Sequence, residues 1–191
     1  ANEAYDLAAS AQYVPPMVSA SLDRLFLALH RGEIEHVKAH LDPLRLLIEK
    51  AAGWHEWIWN LRLTVLRATL ALARGEFQEA LRLLPNVIHQ APQRRRIKYQ
   101  IIGLLLQGQA RIGLGQRDSA LRDLGDALRL AAQTANQSLW LRVVAERLTL
   151  EEDAELRSQA LVRIDALRAA LPMTIMRQAF EESDTVRRLS R

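Results

Sequence analysis

The chain has no cysteine and is poor in aromatic residues, proline and glycine. Without cysteine it can form neither disulfides nor thiolate metal sites, and it has no cysteine nucleophile. Aromatic residues make up 5% of the sequence, and 191 residues include only 8 glycines and 6 prolines. Because the chain is also 49% hydrophobic, its composition argues against disorder, and we expect it to be folded throughout.

Long hydrophobic runs are also missing. The longest uncharged stretch, 7–22, contains Pro15 and Pro16 and is shorter than the roughly 20 apolar residues that a membrane-spanning helix needs. The chain begins at Ala1, without a positively charged start or an apolar segment that ends in a cleavage site. We therefore expect a soluble, cytoplasmic segment of a longer chain, with no membrane partner.

The sequence lacks the motifs that carry common catalytic chemistry. It contains no glycine-rich phosphate loop, no nucleophile elbow and no convincing Ser/His/Asp grouping. His36 and His40 are one helical turn apart with Glu33 nearby, a spacing at which two imidazoles can bind one metal ion. Because the set lacks further ligands, we interpret the pair as part of a solvated helix face. We predict no enzyme activity, no cofactor and no metal.

Helix-forming residues and arginine are abundant. Alanine, leucine, arginine, glutamine and glutamate dominate the sequence, which predicts an all-α fold. The net charge is +4, and all but three of the 26 basic residues are arginine. The excess positive charge lies in the C-terminal half, but it is too mild for a dedicated nucleic-acid module.

One helical pattern occurs twice: a glycine, a small residue five positions later, and apolar residues nine and twelve positions later. The two copies are Gly75, Phe77, Ala80, Leu84, Val87 and Pro92, and then Gly115, Ala120, Leu124, Ala127 and Ala132. The pattern indicates a turn that leads into a helix whose inner face packs closely. Together with Gly32 these turns recur at intervals of about 40 residues, which is typical of stacked helical hairpins.

The spacing of apolar residues, together with the glycines and prolines, predicts helices and repeats along the whole chain. The predicted helices are 2–13, 17–30, 33–50, 54–74, 76–90, 97–114, 116–134, 139–148 and 154–171, with a kink or break near Leu41 from Pro43 and a kink at Pro85. We assign 1–16 to the leading helix of a truncated repeat and 17–172 to the repeat array. Its repeats are about 17–53, 54–92, 93–136 and 137–172, and 173–191 forms C-terminal capping helices.

Gly75, Phe77, Ala80 and Pro92, with Gly108 seven residues before Gly115, resemble a tetratricopeptide repeat. The intervals exceed that family's usual length of about 34 residues. Longer repeats of this type resemble the C-terminal sensor arrays of maltose-regulator-like bacterial signal-transduction ATPases and multidomain regulators. The resemblance implies a right-handed α-α superhelix (solenoid) of about four hairpins, which acts as a non-catalytic module in a bacterial signalling or transcription-regulatory protein.

The resemblance also implies a ligand groove on the concave face, lined by the first helix of each hairpin. The groove positions are Ser19, Leu22, Phe26, Arg62, Val65, Thr69, Ile102, Leu105, Gln109 and Arg142. Because this set is mostly apolar with isolated arginines, we expect a protein ligand in the form of an amphipathic helix or extended peptide. On this hypothesis Leu105→Asp abolishes binding and leaves the helices intact.

Two further groups of residues are candidate contact sites. Arg94, Arg95, Arg96 and Lys98 form a basic cluster that is either a solvated linker, which we favour, or an anchor for a phosphate or an acidic partner. Trp54 and Trp57 have the spacing of core residues. Trp59 is predicted to point away from them, so it is the candidate for an exposed contact residue.

Other hypotheses stay open from the sequence. A small-molecule effector site is predicted if an interior pocket brings polar groups together. Nucleic-acid binding through the basic half predicts an affinity that falls steeply with salt. Self-association through exposed repeat ends is a further possibility.

Overall fold

A computed structural model describes residues 2–11, 13–51 and 53–191 of the chain. Three residues lie outside the described ranges: Ala1, Gln12 and Ala52. The first two belong to the predicted leading segment 1–16, and Ala52 belongs to the predicted first repeat. The described part is helical and contains no strand, which confirms the all-α prediction. The helices are α1 (Asn2–Ser10), α2 (Val14–His30), α3 (Ile34–Lys50), α4 (Glu56–Ala73), α5 (Phe77–Gln93), α6 (Ile97–Gly113), α7 (Arg117–Ala132), α8 (Gln137–Arg147), α9 (Ala154–Ala170), α10 (Thr174–Glu181) and α11 (Asp184–Leu189).

The chain divides into two compact units, Ala1–Arg94 and Arg95–Arg191. In the first unit α2 pairs with α3 and α4 pairs with α5, while α4 also packs against both α2 and α3. Helix α1 packs on α2. Buried side chains of α2, α3 and α4 form one core cluster that includes Leu22, Ile48 and Leu66. Since burying such a side chain stabilises a fold by about 1.5–3 kcal/mol, this cluster holds the three helices together.

The second unit repeats this arrangement of packed hairpins. Helix α6 pairs with α7 and α8 pairs with α9, while α8 also packs against both α6 and α7. The short helix α11 packs against α8 and α9 and buries Val186 and Leu189, and α10 contacts α9 and α11. In each unit, then, the first helix of the second hairpin contacts both helices of the hairpin before it.

Glycine forms the turn of three hairpins. Gly32, Gly75 and Gly115 have φ values of 78°, 73° and 70°, in the left-handed region that favours glycine. The amide after each glycine donates to a carbonyl five residues earlier, which is the Schellman ending of a helix. These bonds run from Glu33 to Ala28, from Glu76 to Ala71 and from Gln116 to Arg111, at 3.0, 2.8 and 2.8 Å. The predicted turns at these glycines are confirmed.

The small residue of the repeated pattern is buried in three of the hairpins. Ala80, Ala120 and Ala160, which follow each other at the predicted interval, are all fully buried. In the last hairpin the turn has no glycine, and the connector ends at Asp153, whose carboxylate accepts a hydrogen bond from the Leu156 amide at 2.9 Å. This acidic cap starts α9, as the acidic run before it predicts.

Prolines interrupt the helices less than the sequence predicts. Pro15 and Pro16 belong to the first turn of α2, where no intrahelical donor is needed, so α2 begins at Val14 rather than Met17. Helix α3 runs continuously through Pro43, so the alternative of a break near Leu41 is wrong. Leu44 and Ile48 on the next turn are buried, and this packing maintains the helix despite the lost hydrogen bond. Helix α5 likewise runs through Pro85 and Pro92.

Candidate interaction surfaces

In the first unit, polar contacts join the first helices of the two hairpins. The Trp59 indole Nε1–H donates to the Ser19 hydroxyl at 3.2 Å. Arg62 donates to the Asp23 carboxylate, and this pair is partly exposed. We use the name unit 1 face for the accessible residues beside these contacts: Ser19, Asp23, Phe26, Arg62 and Thr69.

In the second unit, Glu146 links two helices to α8. One of its carboxylate oxygens accepts hydrogen bonds from Gln109 on α6 and from Arg188 on α11, each at 2.8 Å. Arg188 also donates to the Ala145 carbonyl at 3.0 Å. We use the name unit 2 face for the accessible residues around this network: Ile102, Gln109, Arg142, Glu146 and Arg188.

Arg142 differs from the other arginines of these faces because it has no ion-pair partner within 4.0 Å among the described residues. Its side chain is exposed. Even so, desolvation by the surrounding protein lowers the pKa of Arg142, and the charge of Glu146 only partly offsets this effect. Because a guanidinium keeps its proton throughout the ordinary pH range and the residue is exposed, Arg142 is a charged and accessible group.

The structure buries three of the predicted groove residues. Leu22 and Leu105 are fully buried and Val65 is 3% exposed, so these side chains present no surface to a ligand. They face neighbouring helices because the inner side of each first helix carries the core. Thr69 donates its hydroxyl to the Val65 carbonyl of its own helix at 2.8 Å.

Sequence reasoning missed Asp23, Glu146 and Arg188. Asp23 and Glu146 each lie four residues after a predicted groove position, Ser19 and Arg142, so helical spacing places them on the same faces. That spacing was available in the sequence. The sequence does not show that Arg188 joins this face, because its position depends on how α11 packs against α8.

The prediction for the tryptophans is wrong. Trp59 is 4% exposed and belongs to the core, whereas Trp54 is 94% exposed. Helix α4 begins at Glu56, so Trp54 precedes it and the helical spacing used for the prediction does not apply there. Trp57 is half-buried, and the Arg94 guanidinium lies 5.3 Å from the centre of its ring.

The basic cluster lies in and beside the connector from α5 to α6. Arg94, Arg95, Arg96 and Lys98 are all exposed, which the linker and the anchor interpretations both require. Arg94 caps the C-terminus of α5, and Arg96 precedes the first residue of α6. Arg95 has a φ of 54°, an uncommon conformation for a residue with a side chain.

One carboxylate is buried between α6 and α7. Asp123 is 7% exposed, and its Oδ1 accepts hydrogen bonds from Arg111 at 2.8 Å and from Gln107 at 3.2 Å. A guanidinium nitrogen of Arg111 is also 2.8 Å from Oδ2, but Oδ2 accepts no hydrogen bond from the described residues. Burial raises the pKa of Asp123, although Arg111 and Gln107 act in the opposite direction.

The two histidines of α3 contact each other. The rings of His36 and His40 have centroids 4.2 Å apart, and His40 Nδ1 is 2.8 Å from the His36 carbonyl oxygen. Within the described part of the chain, histidines and carboxylates do not gather into a group of three that could hold a metal ion.

No helix in the described ranges is both long and apolar enough to cross a membrane. Comparison with known proteins gives no match to any protein family, to any curated protein or to any solved structure.

Proposed function

We propose that this chain is a non-catalytic helical-repeat module, of the tetratricopeptide-like kind, that binds a peptide or helix of another protein on the faces of its first helices. We place it in a larger signalling or transcription-regulatory protein. The supporting observation is the packing within each unit, where α4 contacts α2 and α3, and α8 contacts α6 and α7. Side-by-side first helices of this kind are typical of repeats that present an extended binding face.

The unit 2 face supports an acidic ligand. Arg142 is charged, accessible and without an ion-pair partner in the described chain, whereas Arg188 is already paired with Glu146. A carboxylate of the ligand would form a charge-assisted hydrogen bond with Arg142. Ile102 on α6 is half-buried and offers apolar contact area on the same face. We therefore expect a ligand segment that combines acidic and apolar side chains.

The charge distribution gives less support to nucleic-acid binding. Many arginines are paired with carboxylates, as Arg82 is with Glu79 and Arg111 with Asp123. The exposed basic residues of the connector have no aromatic side chains between them on which bases could stack.

The proposal is tested by selecting peptides from a displayed random library against the whole chain and measuring their affinity by fluorescence anisotropy. We expect enriched peptides to contain acidic residues, and we expect Arg142→Glu to weaken their binding by about tenfold or more. The matched control is Arg95→Glu, which reverses a charge on an exposed arginine of the connector and should leave the affinity unchanged.

Two results would contradict this proposal. One is a library from which no peptide is enriched. The other is equal weakening by Arg95→Glu and Arg142→Glu, which would indicate a general attraction to positive charge instead of a site on the unit 2 face.

A further inference from the structure

A pocket of about 370 Å³ lies over α2, between residues of α1 and α3. Both α1 and α3 pack on α2, so the pocket belongs entirely to the first unit. It is separate from the unit 1 face, because Asp23 pairs with Arg62 of α4 whereas the next residue, Arg24, lines the pocket. Its volume falls within the range of about 300–1,000 Å³ that small-molecule sites usually have.

The polar lining of this pocket is cationic. Its polar residues are Tyr5, Ser21, Arg24, His36 and His40. In the described chain no carboxylate lines the pocket, and Arg24 has no ion-pair partner within 4.0 Å. The Arg24 guanidinium lies 5.1 Å from the centre of the Tyr5 ring, which positions it without neutralising its charge.

The remaining lining is apolar. Leu25 and Leu44 are buried and Leu47 is half-buried, and together with Pro43 they line the pocket beside the polar groups. A ligand that fits both parts must carry a negative group and an apolar body. An inorganic anion alone would leave the leucine wall in contact with water.

The two imidazoles are arranged so that one ring nitrogen remains available. Because a carbonyl oxygen can only accept, His40 Nδ1 carries the hydrogen that it donates to the His36 carbonyl. The Nε2 atom of His40 is then an acceptor in the neutral ring and a donor in the protonated ring. In the protonated ring this nitrogen can donate a hydrogen bond to a bound anion.

We propose that this pocket binds a small organic anion, in which a sulfonate, carboxylate or phosphate group pairs with Arg24 and the His36–His40 pair, and a short apolar body contacts Leu25, Leu44 and Leu47. The pocket is the observation that favours a small-molecule site in this chain. The proposal does not depend on peptide binding by the first-helix faces, which lie on other residues.

Binding should strengthen as the pH falls, because imidazoles gain their proton between about pH 8 and pH 5. The charged and titratable groups around the histidines come from each neighbouring segment: Glu3 and Tyr5 of α1, Arg24 of α2, and Arg31 and Glu33 in the turn between α2 and α3. Helix α4 also packs on α3, but none of its described residues lines either pocket here. Glu3 and Glu33 line the adjacent pocket of about 430 Å³, where Arg31 and Arg24 accompany them.

The first test uses the wild-type chain and 1-hexanesulfonate, whose charge stays constant across this pH range. The sulfonate is added stepwise at constant pH, and the ring signals of the five histidines are followed by nuclear magnetic resonance. We expect saturable shifts of the His36 and His40 ring signals and none at His30, His55 and His89, which line neither pocket. Equal shifts at all histidines, or no saturation, would overturn the proposal. This measurement needs no variant.

Calorimetry then tests the chemistry of the ligand. We expect hexanesulfonate to bind at least about tenfold more tightly than hexylammonium or inorganic sulfate, and more tightly at about pH 6 than at about pH 8.

Arg24→Gln should weaken hexanesulfonate binding by about tenfold, and His40→Gln should reduce the dependence of this binding on pH. The control is Arg45→Gln on α3, an arginine that pairs with Glu49 and does not line the pocket. Unchanged affinity in Arg24→Gln, or equal affinity for the ammonium or sulfate probe, would contradict the proposal.

Discussion

Asp123 places a carboxyl group where water reaches it poorly. Only one of its two carboxylate oxygens accepts hydrogen bonds from the described residues, so its desolvation is incompletely compensated and its pKa is raised. A carboxyl whose pKa is higher in the folded than in the unfolded chain binds its proton more tightly when folded. Its contribution to stability is therefore favourable at low pH and is lost as the pH rises from the ordinary value through the raised one.

This direction predicts the behaviour of Asp123→Asn. An asparagine keeps an oxygen that can accept from Arg111 but does not titrate. We expect the free energy of unfolding of the variant, relative to wild type, to improve as the pH is raised from about 4 to about 7. Urea unfolding of both proteins at several pH values measures this, and a relative stability that falls with pH would contradict the assigned pKa direction.

Leu105 is the residue whose role changes most between sequence and structure. It is fully buried on α6, so Leu105→Asp places a carboxylate in the core instead of on a binding surface. We expect a loss of at least about 3 kcal/mol of stability, seen as a lower thermal midpoint by circular dichroism. The control is Ile102→Asp on the same helix. Since Ile102 is half-buried, this substitution should lower the stability clearly less. Equal losses of stability in the two variants would contradict the different burial of the two positions.

For single residues, sequence patterns predicted which face of a helix a residue lies on better than how deeply its side chain is buried. Ala80 and Leu124 were predicted on inner faces and are fully buried. The tryptophans were predicted wrongly because the start of α4 was placed at Trp54, two residues before the helix begins. A helical wheel assigns sides only to residues that are in the helix. For Leu105 the pattern gave no way to separate a groove position from a core position.

The α6–α7 hairpin depends on a close approach between its helices. A β-carbon added to Gly108 would lie 2.8 Å from both Cγ and Cδ2 of Leu124. Leu124 is itself fully buried, so it has little room to move. Gly108 was recognised in the sequence as a small residue of the first helix, and the structure supplies the physical reason for that small size.

Gly108→Ala should therefore destabilise the protein. Overpacking costs about 1–3 kcal/mol, which outweighs the gain of about 1 kcal/mol from replacing a helical glycine. Gly125→Ala in α7 is the matched control, since an added β-carbon there meets nothing within 4 Å. We expect this control to stabilise by about 0.5–1 kcal/mol. Chemical denaturation compares the two, and stabilisation by both substitutions would rule out the close approach.

At the level of elements, helix ends that use glycine or a carboxylate cap were predicted well. The Gly32, Gly75 and Gly115 turns and the Asp153 cap have local causes that can be identified in the sequence. The effects of proline were overestimated, because Pro43 lies next to buried Leu44 and tertiary packing outweighs the local loss. The pocket beside α1 could not be predicted, since it depends on where α1 and α3 pack on α2.

For the whole molecule, periodicity predicted that the chain is helical and folds into hairpins. It did not predict the division at Arg94 and Arg95. It also did not identify Arg142, which has no ion-pair partner among the described residues, as the distinctive charge of the unit 2 face. Ion-pair partners such as Arg188 and Glu146 are 42 residues apart, and only the packing of α11 brings them together. Long-range contacts of this kind decide which arginines remain available for a ligand.

Backbone nuclear magnetic resonance can locate the proposed protein ligand on the first helices. A library-selected peptide is added to the whole chain, and amide shifts are mapped onto the sequence. We predict that the shifts concentrate on α6 and α8 around Ile102, Gln109 and Arg142. Shifts concentrated on the second helices, α7 and α9, would show that the ligand does not bind on the first helices.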